Sequence, residues 1–174
     1  MKLPLFVLAG LSVVLTAPLA DAAPPPDFPD FAGFDVVTAT HLATYQHTDQ
    51  QVVKFSTPDG LACLISALGG VAPMVRCYGP VPGTAGLAVT ADANAKAPRE
   101  FGIAQVHAAN EGTISNFRGD YPTDLAGAAL LAPGEKVTLT TMTCGVAQGG
   151  VTACIDSTDG GHGFVLQPTG SWTF

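Results

Sequence analysis

The segment of this sequence richest in reactive side chains runs from Cys144 to Phe164 and reads CGVAQGGVTACIDSTDGGHGF. It holds two cysteines, two aspartates, a serine and a histidine, a combination found in metal sites and in hydrolase active sites. The alternative is structural, with two strands joined by a glycine turn, stapled by a disulfide and followed by a second tight turn. The spacing of the residues favours the structural interpretation.

The chemical interpretations of this segment fit its spacing poorly. Asp156 and Asp159 are three residues apart and no closing glutamate follows them, so an EF-hand calcium loop is disfavoured. Ser157 lacks the glycine-rich surroundings of a protease serine, and nothing ties a histidine to it. His162, framed by two glycines, remains a weak candidate as general base or metal ligand, with Asp156 or Asp159 as its carboxylate. We favour a role in which His162 bonds a backbone carbonyl and orders the turn, and we predict no metal and no cofactor.

The four cysteines of the chain predict two disulfides. None belongs to a Cys-x-x-Cys pair, which disfavours a zinc site. The midpoint between the last two cysteines falls on Gly149, so residues 148–150 would form a three-residue hairpin loop with these cysteines directly opposite each other. The midpoint between the first two falls on Gly70, also in a glycine turn. Among three connectivities we therefore predict Cys63 with Cys77 and Cys144 with Cys154.

Residues 1–22 have the pattern of a secretory signal peptide. A lysine at position 2 precedes an apolar run from Leu3 to Leu19, and residues 20–22 form a small-x-small cleavage site. A retained anchor is the competing interpretation, but prolines interrupt the run and no positive cluster follows it. We expect cleavage, no membrane span afterwards, and a protein secreted or held in the cell envelope, where disulfides persist.

Composition limits the size and the partners of the remaining chain. About 150 residues are enough for one domain with a substantial core. The net charge of -7 argues against nucleic acid or an anionic membrane as partner, because both need a basic surface. We predict an extended proline-rich N-terminal arm at residues 23–48. Two interpretations of its aromatic residues stay open: Phe28, Phe31 and Phe34 pack against the domain surface, or the arm is a flexible linker and they make no contact. Residues 49–174 are predicted to form a disulfide-bonded β-domain.

The periodicity of this domain is typical of an all-β fold. Short segments rich in β-branched and aromatic residues each end in Gly, Pro, Asp or Asn. Residues 136–144, KVTLTTMTC, alternate as a half-buried strand does. The clearest helix signal covers Asp124 to Leu131, with Thr123 as N-cap. We predict a small antiparallel sandwich or barrel, stapled by two hairpin disulfides, with at most one or two short helices.

Several motifs of the chain match one group of proteins in combination. These are FPDFAGF after the leader, FSTPDGLAC from Phe55 to Cys63, the second cysteine at Cys77, and the closing TCGVAQGGVTACIDSTDGGHGFVLQPTGSWTF. With them the chain resembles small secreted four-cysteine proteins of actinobacteria, common in mycobacteria and nocardiae, a group with no assigned function. Asp156 stands where members often carry Asn, and residues 78–100 do not match the pattern. The resemblance implies a small disulfide-bonded β-domain outside the membrane and carries over no catalytic residue.

These observations favour a non-enzymatic module that binds a cell-envelope component or another protein. The first alternative is a carrier of a small apolar ligand, because a small β-barrel can hold one ligand. The second is a hydrolase of envelope polymers that uses His162 with Asp156 or Asp159. A filled interior would count against the carrier, and a polar cleft with His162 within hydrogen-bond reach of a carboxylate would favour the hydrolase.

Overall fold

A computed structural model of the chain describes residues 24–38, 43–47, 50–69, 71–108, 110–158 and 161–174. Within these ranges the protein is almost entirely β-structure, with one turn of 3-10 helix at Thr123–Leu125, and it has no helix long and apolar enough to cross a membrane. The strands of these ranges are β1 (Asp35–Val36), β2 (Ala43–His47), β3 (Gln50–Ser56), β4 (Ala62–Leu68), β5 (Val71–Gly79), β6 (Val89–Ala91), β7 (Arg99–His107), β8 (Thr113–Gly119), β9 (Ala129–Leu130), β10 (Glu135–Leu139), β11 (Met142–Ala147), β12 (Val151–Asp156), β13 (His162–Leu166) and β14 (Trp172–Thr173).

The strands form two sheets that pack face to face. In the described ranges the smaller sheet has the order β1-β10-β11-β12-β13-β14, and the larger has the order β2-β3-β4-β5-β7-β8-β6 with β9 beside β3. Most neighbouring strands are antiparallel, and both sheets contribute almost fully buried side chains to one core. The predicted all-β sandwich is thereby confirmed. Core residues from both sheets include Phe55, Ile65 and Val106 of the larger sheet and Val137, Val146 and Phe164 of the smaller.

Both predicted disulfides are present, each between residues directly opposite on a hairpin. Cys63 pairs with Cys77 across β4 and β5, and Cys144 pairs with Cys154 across β11 and β12, with Cα–Cα distances of 4.0 and 4.1 Å. Such short separations are typical of non-hydrogen-bonded cross-strand pairs. All four cysteines are fully buried, so each disulfide cross-links two adjacent strands on the face of its sheet that packs in the core.

The two hairpin turns differ in detail. Residues 148–150 form the predicted three-residue loop, and Gly149 and Gly150 take φ values of 78° and 74°, a region in which glycine has no steric cost. In the other hairpin the register shifts between Ser66 and Leu68, so a bulge lies between the disulfide and the turn. Gly70, the predicted centre of that turn, lies outside the described residues.

The predicted helix from Asp124 to Leu131 is wrong. The helical turn ends at Leu125, Gly127 takes a φ of 79°, and the chain then joins the larger sheet as β9. Leu125 is buried in a cluster with Tyr78 and Phe101 on the outer face of the larger sheet, whereas Leu131 is buried in the core between the two sheets. An extended path allows these two leucines to reach different hydrophobic clusters, and this burial outweighs the weak helix propensity.

The prediction of one continuous strand at residues 136–144 is also wrong. The chain reverses at Thr140, whose φ of 54° is unusual for a β-branched residue, and β10 then pairs with β11. An uninterrupted strand would place Val137 and Cys144 on opposite faces. The reversal makes them cross-strand partners that both face the core, so burial of both side chains favours the strained turn.

The first part of the predicted arm, residues 24–34, packs on the outer face of the smaller sheet. The ring centroids of Phe28 and Phe31 are 5.0 Å apart, and those of Phe28 and Phe174 are 5.6 Å apart. The Lys136 Nζ donates a hydrogen bond of 2.6 Å to the Phe31 carbonyl, and a Cβ on Gly145 would lie 2.7 Å from the Phe31 ring. Strands β1 and β2 also fall within residues 23–48 and pair with β10 and β3.

Gly145→Val is expected to lift the arm from the sheet, because the new side chain would occupy the space of the Phe31 ring. We expect a loss of about 1–2 kcal/mol in the free energy of unfolding. Faster chymotryptic cleavage at the arm phenylalanines and a red shift of Trp172, the single tryptophan, should accompany it. Gly33→Val is the matched control, because nothing lies within 4 Å of a Cβ at Gly33. Equal cleavage of both variants would contradict the packing of the arm.

Candidate functional site

Two of the three predicted catalytic candidates are neighbours in the structure. Asp156, at the end of β12, is directly opposite His162, at the start of β13. Asp156 is fully buried, and its Oδ1 accepts hydrogen bonds from the backbone N–H and the hydroxyl of Thr158, at 3.3 and 2.9 Å. This pattern is typical of an aspartate that caps the turn that follows it. Asp159 lies outside the described residues.

The surroundings of His162 differ from those we predicted. Its side chain is half-buried, and within the described ranges the imidazole makes no hydrogen bond, so the expected bond to a backbone carbonyl is not found there. The exposed Ser157 hydroxyl donates to the Thr141 carbonyl at 3.3 Å. Among the described residues no three His, Cys, Asp or Glu side chains are grouped to hold a metal ion. The pair therefore consists of a turn-capping carboxylate and a half-buried histidine.

A second candidate site is a cleft of about 840 Å³ at one end of the larger sheet, open to solvent. We call it the Arg99 cleft. One wall is the start of β7 with side chains from β8 and the segment after it, and the other is the glycine- and proline-rich loop that follows β5. The lining includes Arg99, Phe101, Asn116 and Tyr121 on the first wall and Pro80 and Gly83 on the second.

The cleft forms because β5 ends before β7 does. Pro80 directly follows the last residue of β5 and has no N–H with which to continue the ladder, and Pro82 follows two residues later. The last residue pair between β5 and β7 is Gly79 with Gly102, whereas β7 and β8 remain paired as far as Arg99. The gap beside the first residues of β7 is the floor of the cleft.

The loop across the cleft is held in place by the neighbouring strand. The buried Asn116 on β8 donates from its Nδ2 to the Thr84 carbonyl at 2.8 Å, and the Thr84 hydroxyl donates to the Val81 carbonyl at 2.9 Å. The Val81 side chain packs directly over Gly102, where a Cβ would come within 2.5 Å of it. These contacts hold the second wall in one conformation.

Aromatic rings support the first wall. Phe101 packs against Phe117, Tyr78 and Tyr121, with ring centroids 5.6, 6.2 and 5.1 Å apart. The Tyr121 hydroxyl donates to the Tyr78 carbonyl at 3.2 Å, and burial raises the pKa of Tyr121 although Arg99 opposes that shift. Tyr121 is therefore a neutral phenol at physiological pH that contributes an aromatic face to the cleft.

Arg99 carries the positive charge of the cleft. Its guanidinium carbon lies 5.3 Å from the centroid of the Tyr121 ring, a cation–π geometry. The nearby Glu100 carboxylate pairs with Arg118 at 3.3 Å. The Asp120 carboxylate accepts from the backbone N–H groups of Lys96 and Ala97, which lowers its pKa. Within the part of the chain that the structure describes, Arg99 has no carboxylate at ion-pair distance.

Sequence reasoning missed this cleft. We predicted no function for residues 78–100, which do not match the pattern of the four-cysteine proteins. The prolines after β5 were the available signal, since they predict an early end to a strand. Nothing in the sequence places Asn116 or Tyr121 beside that end.

Fold and site together define a disulfide-bonded β-sandwich domain with a preformed cleft at one end of the larger sheet. Comparison of the chain with family models, with curated proteins and with solved structures found no match. The resemblance to the actinobacterial four-cysteine proteins therefore stays a prediction.

Proposed function

We propose that this protein is an exported, non-enzymatic binding module that holds a cell-envelope component or another protein in the Arg99 cleft. The observation that carries the proposal is the composition of the cleft. An aromatic wall, an ordered loop and a guanidinium that has no carboxylate partner in the described part of the chain meet around about 840 Å³ of open space. Preformed concavities with an apolar wall and a few polar groups are typical of binding sites. Two buried disulfides support an oxidising compartment.

The two alternatives have less support. The space between the sheets is filled by side chains of both, so a carrier would have to hold its apolar ligand in a cleft open to water. The opposed Asp156 and His162 favour a hydrolase as second candidate, but the Asp156 carboxylate already binds the turn that follows it. The binding module uses the open space of the Arg99 cleft and a guanidinium that, among the described residues, has no carboxylate at ion-pair distance.

The test is a titration of the ¹⁵N-labelled full chain with the polysaccharide, lipid and protein fractions of actinobacterial cell envelope, followed by NMR. We expect at least one fraction to shift the backbone amides of residues 79–85 and 99–102. Arg99→Ala should weaken this response about tenfold, because a charge-assisted contact is lost. Lys136→Ala, which removes one positive charge on the other sheet, should leave it unchanged.

Two results would contradict the proposal. The first is that none of the fractions shifts the amides of the cleft at any concentration. The second is that the shifts centre on His162 and the added polymer is broken down. If His162→Ala abolishes this breakdown in a folded protein, the hydrolase is established instead.

A further inference from the structure

We infer that the Arg99 cleft binds an extended peptide segment as an added strand beside β7, with an acidic side chain of that segment on Arg99. This inference rests on the proposed function, because it names the ligand class of the same cleft. Three features carry it, namely an open strand edge, three glycines in the facing wall and the charge of Arg99.

The open edge is at Arg99–Phe101. These residues pair with β8 on one side, but β5 reaches only to the pair Gly79–Gly102 on the other. Across the described chain no other backbone hydrogen bond involves them. Unpaired N–H and C=O groups on a strand edge are a template for another strand. Successive residues of a strand direct their N–H and C=O groups to alternate sides, and Glu100 is the residue that directs both groups to the gap. The edge can therefore pair with a segment of about three residues centred opposite Glu100.

The opposite wall leaves room for a backbone. Three glycines of that wall, Gly60, Gly79 and Gly83, present no side chains to the cleft. The rest of the wall carries the side chains of Pro80, Val81, Thr84 and Ala85. Neighbouring strands in a sheet lie about 4.8 Å apart, an approach that large side chains on that wall would hinder. A flat aromatic ligand would leave the N–H and C=O groups of the edge unpaired, whereas an extended peptide would pair with them.

The side chains around the edge define a ligand pattern. Arg99 and Phe101 are two residues apart and so point to the same face, where Tyr121 also lies. A ligand that continues in the direction of β5 runs antiparallel to β7, so its residue opposite Phe101 precedes its residue opposite Arg99 by two. The pattern is therefore apolar-x-acidic, with the acidic residue opposite Arg99.

The experiment uses the full chain and fluorescein-labelled hexapeptides that carry Tyr, Phe, Leu or Val two residues before a single Glu. Fluorescence anisotropy should show binding of at least one of them. Replacement of its Glu by Lys, or Arg99→Ala in the protein, should weaken binding about tenfold, and Lys136→Ala should not. N-methylation of the backbone on the edge-facing side should abolish binding. Arg99→Glu should reverse the preference in favour of the Lys peptide.

The outcomes separate this inference from the proposed function. Envelope fractions that shift the cleft amides, together with no peptide binding at millimolar concentration, would leave the binding module standing and overturn strand addition. Equal binding of the N-methylated peptide would also overturn it. A homodimer with protected amides at residues 99–101 would show that a second copy covers the edge and would equally refute the inference.

Discussion

Replacement of all four cysteines by alanine is expected to leave the domain largely unfolded at physiological temperature. The bridges close loops with sequence separations of 14 and 10 residues, and each closure stabilises by about 3 kcal/mol in the loop-entropy model. The sum is comparable to the total stability of a small domain, roughly 5–15 kcal/mol. Each pairwise variant, Cys63→Ala with Cys77→Ala and Cys144→Ala with Cys154→Ala, should lose about half of that sum in urea denaturation.

Reduced wild-type protein is the control, because it lacks the cross-links but keeps the side-chain volume. If the four-alanine variant loses more stability than the wild type loses on reduction of both bridges, the difference measures the void left in the core. A Cys144→Ala, Cys154→Ala protein with the urea midpoint of the wild type would show that the hairpin needs no staple.

Phe164→Ala is expected to lower the free energy of unfolding by about 3–5 kcal/mol, the usual cost of truncating a buried phenylalanine. Phe164 is fully buried and directly opposite Cys154, so its ring lies beside the second disulfide in the core between the sheets. Loss of the ring removes contacts from both layers of the sandwich. Chemical denaturation monitored by circular dichroism measures the effect.

Phe34→Ala is the matched control, because it removes the same ring from the half-buried arm, where it contacts Phe31 at 5.0 Å between centroids. We expect the free energy of unfolding to fall by only about 1 kcal/mol there, since a half-buried ring removes less apolar surface from water than a fully buried one. Similar losses in the two variants would contradict a core centred between the two sheets.

The part of the candidate site that sequence could predict is the part made by local contacts. Gly149 and the two flanking cysteines lie within eleven residues of one another, and turn geometry alone sets the register of that hairpin. The next turn then places Asp156 near His162, and the structure has these residues opposite each other. The bonding around them depends on the surrounding packing, and our expectation of a buried hydrogen bond for His162 was not met among the described residues.

The Arg99 cleft could not be predicted in this way. Its walls come from Gly60, the loop after Gly79, the start of β7, Asn116 and Tyr121, and only the order of strands in the larger sheet brings them together. The prolines after β5 predict that this strand ends early, but they do not predict which neighbouring strand is left with an unpaired edge. That depends on β7 being the partner of β5, a non-local pairing that follows from burial across the whole sheet.

The sequence by itself determined the all-β class, the two disulfide pairs and the three-residue loop at residues 148–150. Each of these depends on turn residues and alternation over a short stretch of chain. The tertiary structure decided the reversal at Thr140, the extended path from Leu125 to Leu131 and the cleft beside Arg99. In those places local propensity is weak, and the chain takes the path that buries apolar side chains from distant segments in shared clusters, because that burial outweighs the cost of a strained turn or a lost helix.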